Sequence, residues 1–309
     1  MKKKIYIANT SGLGNRLESL VLASMIEDRF GHQIYLDWPE ADCLQIAGTR
    51  VGAIPFWERP WSEKIRDFDA ARLDTLGAVR IINLRGTYGP RELQRRYVLP
   101  TAKRLRPHPR IGHAIRDTFA SRQGRPVVAV HIRQGDFVVA GDSYDATSTR
   151  HPAPPLWWYE HVMETWVRLF PDVFFALGYS GDAGALARLK ERFDIVTFPK
   201  VFNYRTLSPG HVSAGHPVVD MFGLACCTTL IATPTSNFSH WACNLLGPRS
   251  RCVLPPARMQ CDTAAFGIAD LRGCVMLDWR DAAESGRGVT IISADRDIPP
   301  PSPAVTDWL

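Results

Sequence analysis

The sequence predicts an α/β protein of two doubly wound domains, each a parallel sheet wrapped by helices. Three observations carry that prediction. A strand, a helix and a second strand follow one another at the start of the chain, and this order within about 30 residues is a βαβ unit, whose strands run parallel. Val127-Val128-Ala129-Val130-His131-Ile132 is an apolar run broken only by one histidine, as expected of a central parallel strand covered on both faces. From Leu156 to Leu246, helical and strand patterns alternate, which is the signature of further parallel units.

Each element follows in order. Ile5-Tyr6-Ile7-Ala8 reads as a buried strand, and Ser11-Gly12-Leu13-Gly14-Asn15-Arg16 turns the chain into a helix over 17–30. Leu17, Leu20, Val21, Ser24 and Met25 share one face of that helix at helical spacing. Gly31 ends it, and Gln33-Ile34-Tyr35-Leu36 is a second strand closing at Asp37. Residues 39–80 are irregular and rich in Trp, Pro and Arg, and 79–84 is another strand. A helical pattern over 111–121 and the turn Gly124-Arg125-Pro126 put a domain boundary near 120, giving domains over 1–120 and 121–309. The loop over 133–155 is long and polar, and such loops in compact domains are usually functional. Beyond it come a helix over 156–170, a strand over 173–177, a helix over 183–192 and a strand over 195–198. Asp220 opens an apolar helical segment, Leu230-Ile231-Ala232 is a strand, and 238–246 is a helix. The proline run over 299–303 reads as extended.

The composition is globular, with 45% hydrophobic and 22% charged residues in 309. The 37 Lys and Arg against 31 acids leave a net charge of +6. Such a balance suits nucleic acid, an anionic membrane face or phosphorylated ligands. No nucleic-acid-reading motif accompanies it, so phosphate-bearing small molecules are favoured and nucleic acid is set aside. The seven cysteines are odd in number and contain no C-x-x-C pair. Cys226 and Cys227 sit in an apolar run and read as small core residues. Cys243, Cys252 and Cys261 fit neither a zinc knuckle nor a disulfide scaffold, so no metal is expected. Met1-Lys2-Lys3-Lys4 leads directly into the first strand, with no apolar stretch long enough for a signal core or a membrane span. A reducing cytoplasm is the expected compartment.

Three segments carry candidate chemistry. In the first, Gly12 and Gly14 let backbone N–H groups and a helix start approach a phosphate or a sugar hydroxyl. A dinucleotide fingerprint with Asp37 as the ribose acid is the rival; it fails at the third glycine position, which is Leu17. A tight turn without a ligand is the other reading. The second segment is His131-Ile132-Arg133-Gln134-Gly135-Asp136, at the carboxyl end of the strongest strand, where ligands of open α/β sheets bind. Arg133 offers a planar fork that grips a diphosphate bidentately and stays charged. A fixed cation there stabilises the negative charge that builds on a departing diphosphate. Asp136 would position Arg133 or touch the ligand, and His131 reads as a buried hydrogen-bonded residue or a ligand contact. A structural ion pair is the alternative for Arg133. The third segment, Thr233-Pro234-Thr235-Ser236-Asn237, joins a strand to a helix and presents hydroxyls and N–H groups suited to phosphate or to simple N-capping.

Taken in order, these segments resemble the GDP-fucose-dependent fucosyltransferases of the α1,2, α1,6 and protein-O-fucosyl superfamily. The matching pieces are Gly12 to Arg16, His131 to Asp136, and Asp220 followed by Thr235-Ser236-Asn237-Phe238-Ser239-His240-Trp241. The resemblance implies a GT-B-like fold, two Rossmann-like domains facing a cleft, with the acceptor side in the first and the sugar nucleotide in the second. It implies inversion at the anomeric carbon, GDP-fucose as donor, a glycan acceptor and no metal or other cofactor. It places Arg133 on the β-phosphate, with Gly14, Asn15, His131, Asp136, Asp182, Asp220, Thr235 and Ser236 on the donor. Asp142, in the loop after the arginine motif, is the nominated base for the acceptor hydroxyl. Gln134 stands where many members carry a second basic residue. The expected setting is surface polysaccharide or oligosaccharide synthesis, with peripheral contact at the inner membrane face. A dinucleotide-dependent oxidoreductase and a non-catalytic nucleotide- or carbohydrate-binding module are the rival functions. Trp157, Trp158 and Tyr159 read as a sugar-stacking platform or as core.

Overall fold

The computed structural model describes residues 2–8, 11–134, 137, 143–149, 151–202, 212–213, 215–244, 246–260, 273–278 and 288–309. The chain divides into two compact units, Met1–His108 and Pro109–Leu309. The division falls earlier than the turn near Gly124, so the helix over 109–120 belongs to the second unit. No helix among the described residues is long and apolar enough to cross a membrane.

Unit 1 contains β1 (Lys4–Ile7), α1 (Leu13–Phe30), β2 (Gln33–Leu36), β3 (Leu44–Ile46), β4 (Arg50–Val51) and β5 (Glu63–Ile65), followed by α2 (Ala70–Leu76), β6 (Ile81–Leu84), α3 (Arg91–Ala102) and β7 (Leu105–Pro107). Five strands form a parallel sheet in the order β4-β2-β1-β6-β5, and β3 pairs with β7 separately. The βαβ unit is β1-α1-β2, as its spacing predicts. Helix α1 starts earlier than expected. Gly12 is its N-cap, and Leu13, Gly14, Asn15 and Arg16 form its first turn rather than a loop. Gly31 closes it in the left-handed conformation at φ 70°, its N–H bonded to Glu27 O at 2.8 Å, a geometry that costs glycine nothing. The apolar face of α1 packs on β1 and β2 while α3 covers another side. Polar Glu18 is buried where Gln94 of α3 donates to it at 3.1 Å, and buried Ser19 donates to Gly86 O at 2.7 Å. Arg16 pairs with Glu40, both almost wholly inaccessible, and its guanidinium lies 5.7 Å from the Trp38 ring.

Unit 2 contains α4 (Pro109–Ala120), β8 (Val127–Arg133), β9 (Ser143–Asp145), α5 (Leu156–Leu169), β10 (Phe174–Gly181), α6 (Ala183–Arg192), β11 (Ile195–Val196) and β12 (Val212–Ser213). It continues with α7 (Pro217–Leu224), β13 (Thr229–Ile231), α8 (Asn237–Asn244), β14 (Arg251–Leu254), β15 (Arg258–Gln260), β16 (Val275–Leu277) and β17 (Val289–Ile291). The main sheet runs β11-β10-β8-β13-β14-β16-β17. Its first five strands are parallel, and in chain order they lie third, second, first, fourth, fifth. That is the doubly wound order, which reverses direction between β8 and β13. β16 and β17 extend it antiparallel.

β8 is central as predicted, with Val127 to Val130 and Ile132 wholly buried. β10 is longer than the expected 173–177, because Gly178 to Gly181 continue the pairing until Ser180 stands opposite Arg133. Trp158 and Tyr159 are core residues and Trp157 packs against them, so these rings hold α5 to the sheet and form no sugar platform. The tail is extended and ordered, with Val127 N–H bonded to Ser302 O at 3.0 Å and Trp308 stacked on Phe222 at 5.7 Å.

Candidate functional site

The strand order of the unit 2 sheet reverses between β8 and β13, and open α/β sheets bind ligands at the carboxyl edge of such a reversal. β8 delivers His131 and Arg133 to that edge, and β13 delivers the turn Thr233 to Ser236. β10 ends there as well, followed directly by Asp182. β12 pairs with Ser180 and Gly181 at the same end, so α7, which follows it, starts at this edge and carries Asp220 in its first turn. Topology therefore gathers Arg133, Asp182, Asp220, Thr235 and Ser236 on one rim.

Thr233 ties β8 to β13. Its hydroxyl accepts from Arg133 N–H at 3.0 Å, donates to His131 O at 2.8 Å and meets Tyr159 Oη at 3.0 Å. His131 Nδ1 lies 2.7 Å from Ser239 Oγ, and its ring stacks on Phe238 at 4.7 Å. This network fixes the backbone under Arg133, whose guanidinium lies 5.1 Å from the Phe137 ring. Neither Thr233 nor Ser239 stood out in the sequence as more than a member of its segment, because each acts across 100 positions or more. His131 is the buried, hydrogen-bonded residue of its first reading. Burial and the neighbouring Arg133 charge push its pKa down to about 3.

The turn after β13 is strained and incompletely satisfied. Thr235 is exposed at φ 57°, the one non-glycine residue with positive φ among those described, and this costs a β-branched residue about 1–2 kcal/mol. Ser236 occupies the N-cap of α8, since its carbonyl takes the first helical bond from His240 N–H at 3.1 Å. Its hydroxyl is buried yet has no hydrogen-bond partner among the described residues, so the simple capping reading does not account for it. Asp182 does cap its helix, accepting from Ala185 N–H at 2.7 Å.

Asp220 is also buried, and its Oδ1 lacks a partner among the described residues. Desolvation holds its pKa well above the carboxylate range, with Lys200 opposing in part. Buried polar groups are normally paired, so Ser236 and Asp220 both present capacity that a ligand would use.

These two buried groups act oppositely on stability. Below the ordinary histidine pKa of 6.5 the unfolded chain takes up a proton that His131 refuses down to about 3. Stability from this residue therefore falls as pH drops through that window, by about 1.4 kcal/mol per unit. Asp220 keeps its proton above the ordinary carboxylate value of 3.8, where the unfolded chain releases it, so its contribution falls as pH rises. Asp220→Asn is expected to melt a few degrees higher than wild type at pH 7 without ligand, and a lower melting point would refute this account of the carboxyl.

The remaining expected residues lie elsewhere. Gly14 is buried and Asn15 exposed in the first turn of α1 in unit 1. Asp136 and Asp142 lie outside the described residues. Asp37 is exposed at the end of β2, and Leu17 is fully buried where a dinucleotide fingerprint needs glycine.

No protein-family model matches the chain. No curated protein matches it either. Solved structures do share its fold. Fucosyltransferase NodZ from Bradyrhizobium aligns at 18% identity and TM-score 0.51, over 90% of this chain and 99% of that one. An arginine-to-lysine mutant of Arabidopsis thaliana FUT1, in complex with GDP, aligns at 10% identity and TM-score 0.54, over 83% of this chain and 71% of that one. The chain has the α/β GT-B fold of these fucosyltransferases, with parallel sheets in both units, as expected.

Proposed function

We propose that the protein is an inverting glycosyltransferase that moves fucose from GDP-fucose to a glycan hydroxyl. One observation carries the reading: Arg133 and the strained Thr235-Ser236 turn meet at the doubly wound reversal of a unit whose fold is shared with fucosyltransferases. In this reading Arg133 grips the β-phosphate and takes up charge as the sugar leaves. Ser236 Oγ and the N–H groups at the start of α8 receive the other phosphate oxygens. Asp220 and Asp182 hold the nucleoside end, and His131 stays neutral and positions the strand. Asp136 supports Arg133, and Asp142 takes the acceptor proton. No metal takes part, the acceptor is a surface polysaccharide or oligosaccharide, and the protein works in the cytoplasm beside the membrane.

A thermal-shift series with GDP, UDP, CDP and NAD tests the donor class. Ligand bound only to the native state adds about 2.7 kcal/mol at a hundred times its Kd, so GDP is expected to give the largest rise in melting temperature. Stabilisation by NAD and none by GDP would reverse the reading in favour of a dinucleotide enzyme. GDP-fucose binding with neither donor hydrolysis nor transfer to any glycan would make the protein a binding module instead.

A further inference from the structure

Between β4 and β5 the chain crosses one face of the unit 1 sheet, pinned there by Glu58. That carboxylate accepts from Tyr6 Oη at 2.9 Å and pairs with Lys4 Nζ, both on β1. Tyr6 stacks on Tyr35 at 4.8 Å beneath it. Because Glu58 points inward, its neighbours point out. Phe56, Trp57 and Trp61 are 74%, 62% and 79% exposed, and Val51 beside them 71%. Large aromatics gathered on an otherwise solvated surface mark an interaction site.

The charge of the same stretch says what it meets. Arg50, Arg59, Lys64 and Arg66 are exposed and form no ion pair among the described residues. Of the acids here, Glu58 pairs with Lys4, Glu63 with Arg72, Asp69 caps α2, and exposed Asp67 accepts from Tyr88 N–H at 3.2 Å. What remains is aromatic and cationic. Tryptophan and phenylalanine settle at the headgroup level of a bilayer, and Lys and Arg add attraction to anionic lipid. A glycan chain would want a flat stacking face, whereas Phe56 and Trp57 meet edge to face at 82°.

We infer that the segment Arg50 to Arg66 docks the protein on an anionic phospholipid surface. Phe56, Trp57 and Trp61 enter the headgroup layer, and Arg59 and Lys64 lie among the lipid phosphates. This gives the peripheral membrane contact of the proposed function a location, and it needs neither the donor nor the acceptor assignment.

Co-sedimentation of the full chain with vesicles tests it, using phosphatidylcholine alone against phosphatidylcholine with phosphatidylglycerol. Wild type should pellet only with the anionic vesicles, and less so as salt is raised. Arg59→Glu with Lys64→Glu should lower partitioning by at least about 30-fold, and Trp57→Ser with Trp61→Ser should lower it as well. The same charge change on α6, Arg188→Glu with Lys190→Glu, should leave most of the binding. Equal loss in the α6 variant, wild-type binding by both patch variants, or no pelleting of wild type would each overturn the inference. So would capture of an oligosaccharide through Trp57 and Trp61 in place of vesicles. GDP-induced stabilisation should be unchanged in the patch variants, so failure of the donor reading and failure of the docking surface remain separate results.

Discussion

Arg133→Ala is expected to lower the turnover of fucosyl transfer by about a thousand-fold, the scale seen when one fixed charge-stabilising donor is removed, while unit 2 stays folded. The fold should survive because β8 is held through its backbone. Its ladder to β10 covers seven residues, and the Arg133 N–H bond to Thr233 does not involve the side chain. On the proposed mechanism, what is lost is the cation that meets the departing diphosphate. Arg133→Lys should recover little, since an ammonium supplies charge without the bidentate fork. Single-turnover transfer read beside a thermal melt separates chemistry from folding. Near-normal turnover in the alanine variant would sink the mechanism.

The largest expected effect on stability lies in unit 1. Glu40→Ala leaves the Arg16 guanidinium buried opposite a cavity, and breaking a buried pair in this way costs about 3–5 kcal/mol. Water cannot readily take the place of the carboxylate, because Arg16 is 1% exposed and its guanidinium lies 5.7 Å from the Trp38 ring. Replacing both partners by apolar residues, Arg16→Met with Glu40→Leu, should restore most of it, since a well-packed hydrophobic pair removes the desolvation penalty along with the attraction. Urea unfolding followed by circular dichroism distinguishes the two variants. A loss below about 1 kcal/mol in Glu40→Ala would show that the pair is solvated or replaceable.

Local chemistry made much of the fold legible. The apolar run at 127–132, Gly31 as a helix stop and the helix over 183–192 each follow from a pattern written in consecutive residues. The start of α1 was less so: glycines before a helix suggest a loop, yet Gly12 serves as the cap and Gly14 is already helical. Helix α3 was hidden by Pro100 in its interior and by an arginine-rich surface. β9, β15, β16 and β17 are three-residue strands, whose partners are set by topology and not by composition.

The site divides the same way. Arg133 was visible because a charge at the end of a buried strand is conspicuous. Thr233 and Ser239 were not, since a hydroxyl gains its role only once β8 and β13 lie side by side. Ser236 was visible as a cap, and only its burial exposed the unmet hydrogen bond.

The adjacency of β8 and β13 has a consequence for assembly. The bonds that fix Arg133 join positions 100 apart, and the one that holds His131 spans 108. Loops of that length close slowly, because chain entropy is lost before any contact rewards it. Local helices and the β1-α1-β2 unit can form early, whereas the rim that holds Arg133 and Ser236 is complete only when the first and fourth parallel strands of unit 2 have met. On the proposed function, regain of GDP binding during refolding is thus a clock for the pairing of β8 with β13, and partly collapsed chains, however helical, carry the arginine without a site to hold it.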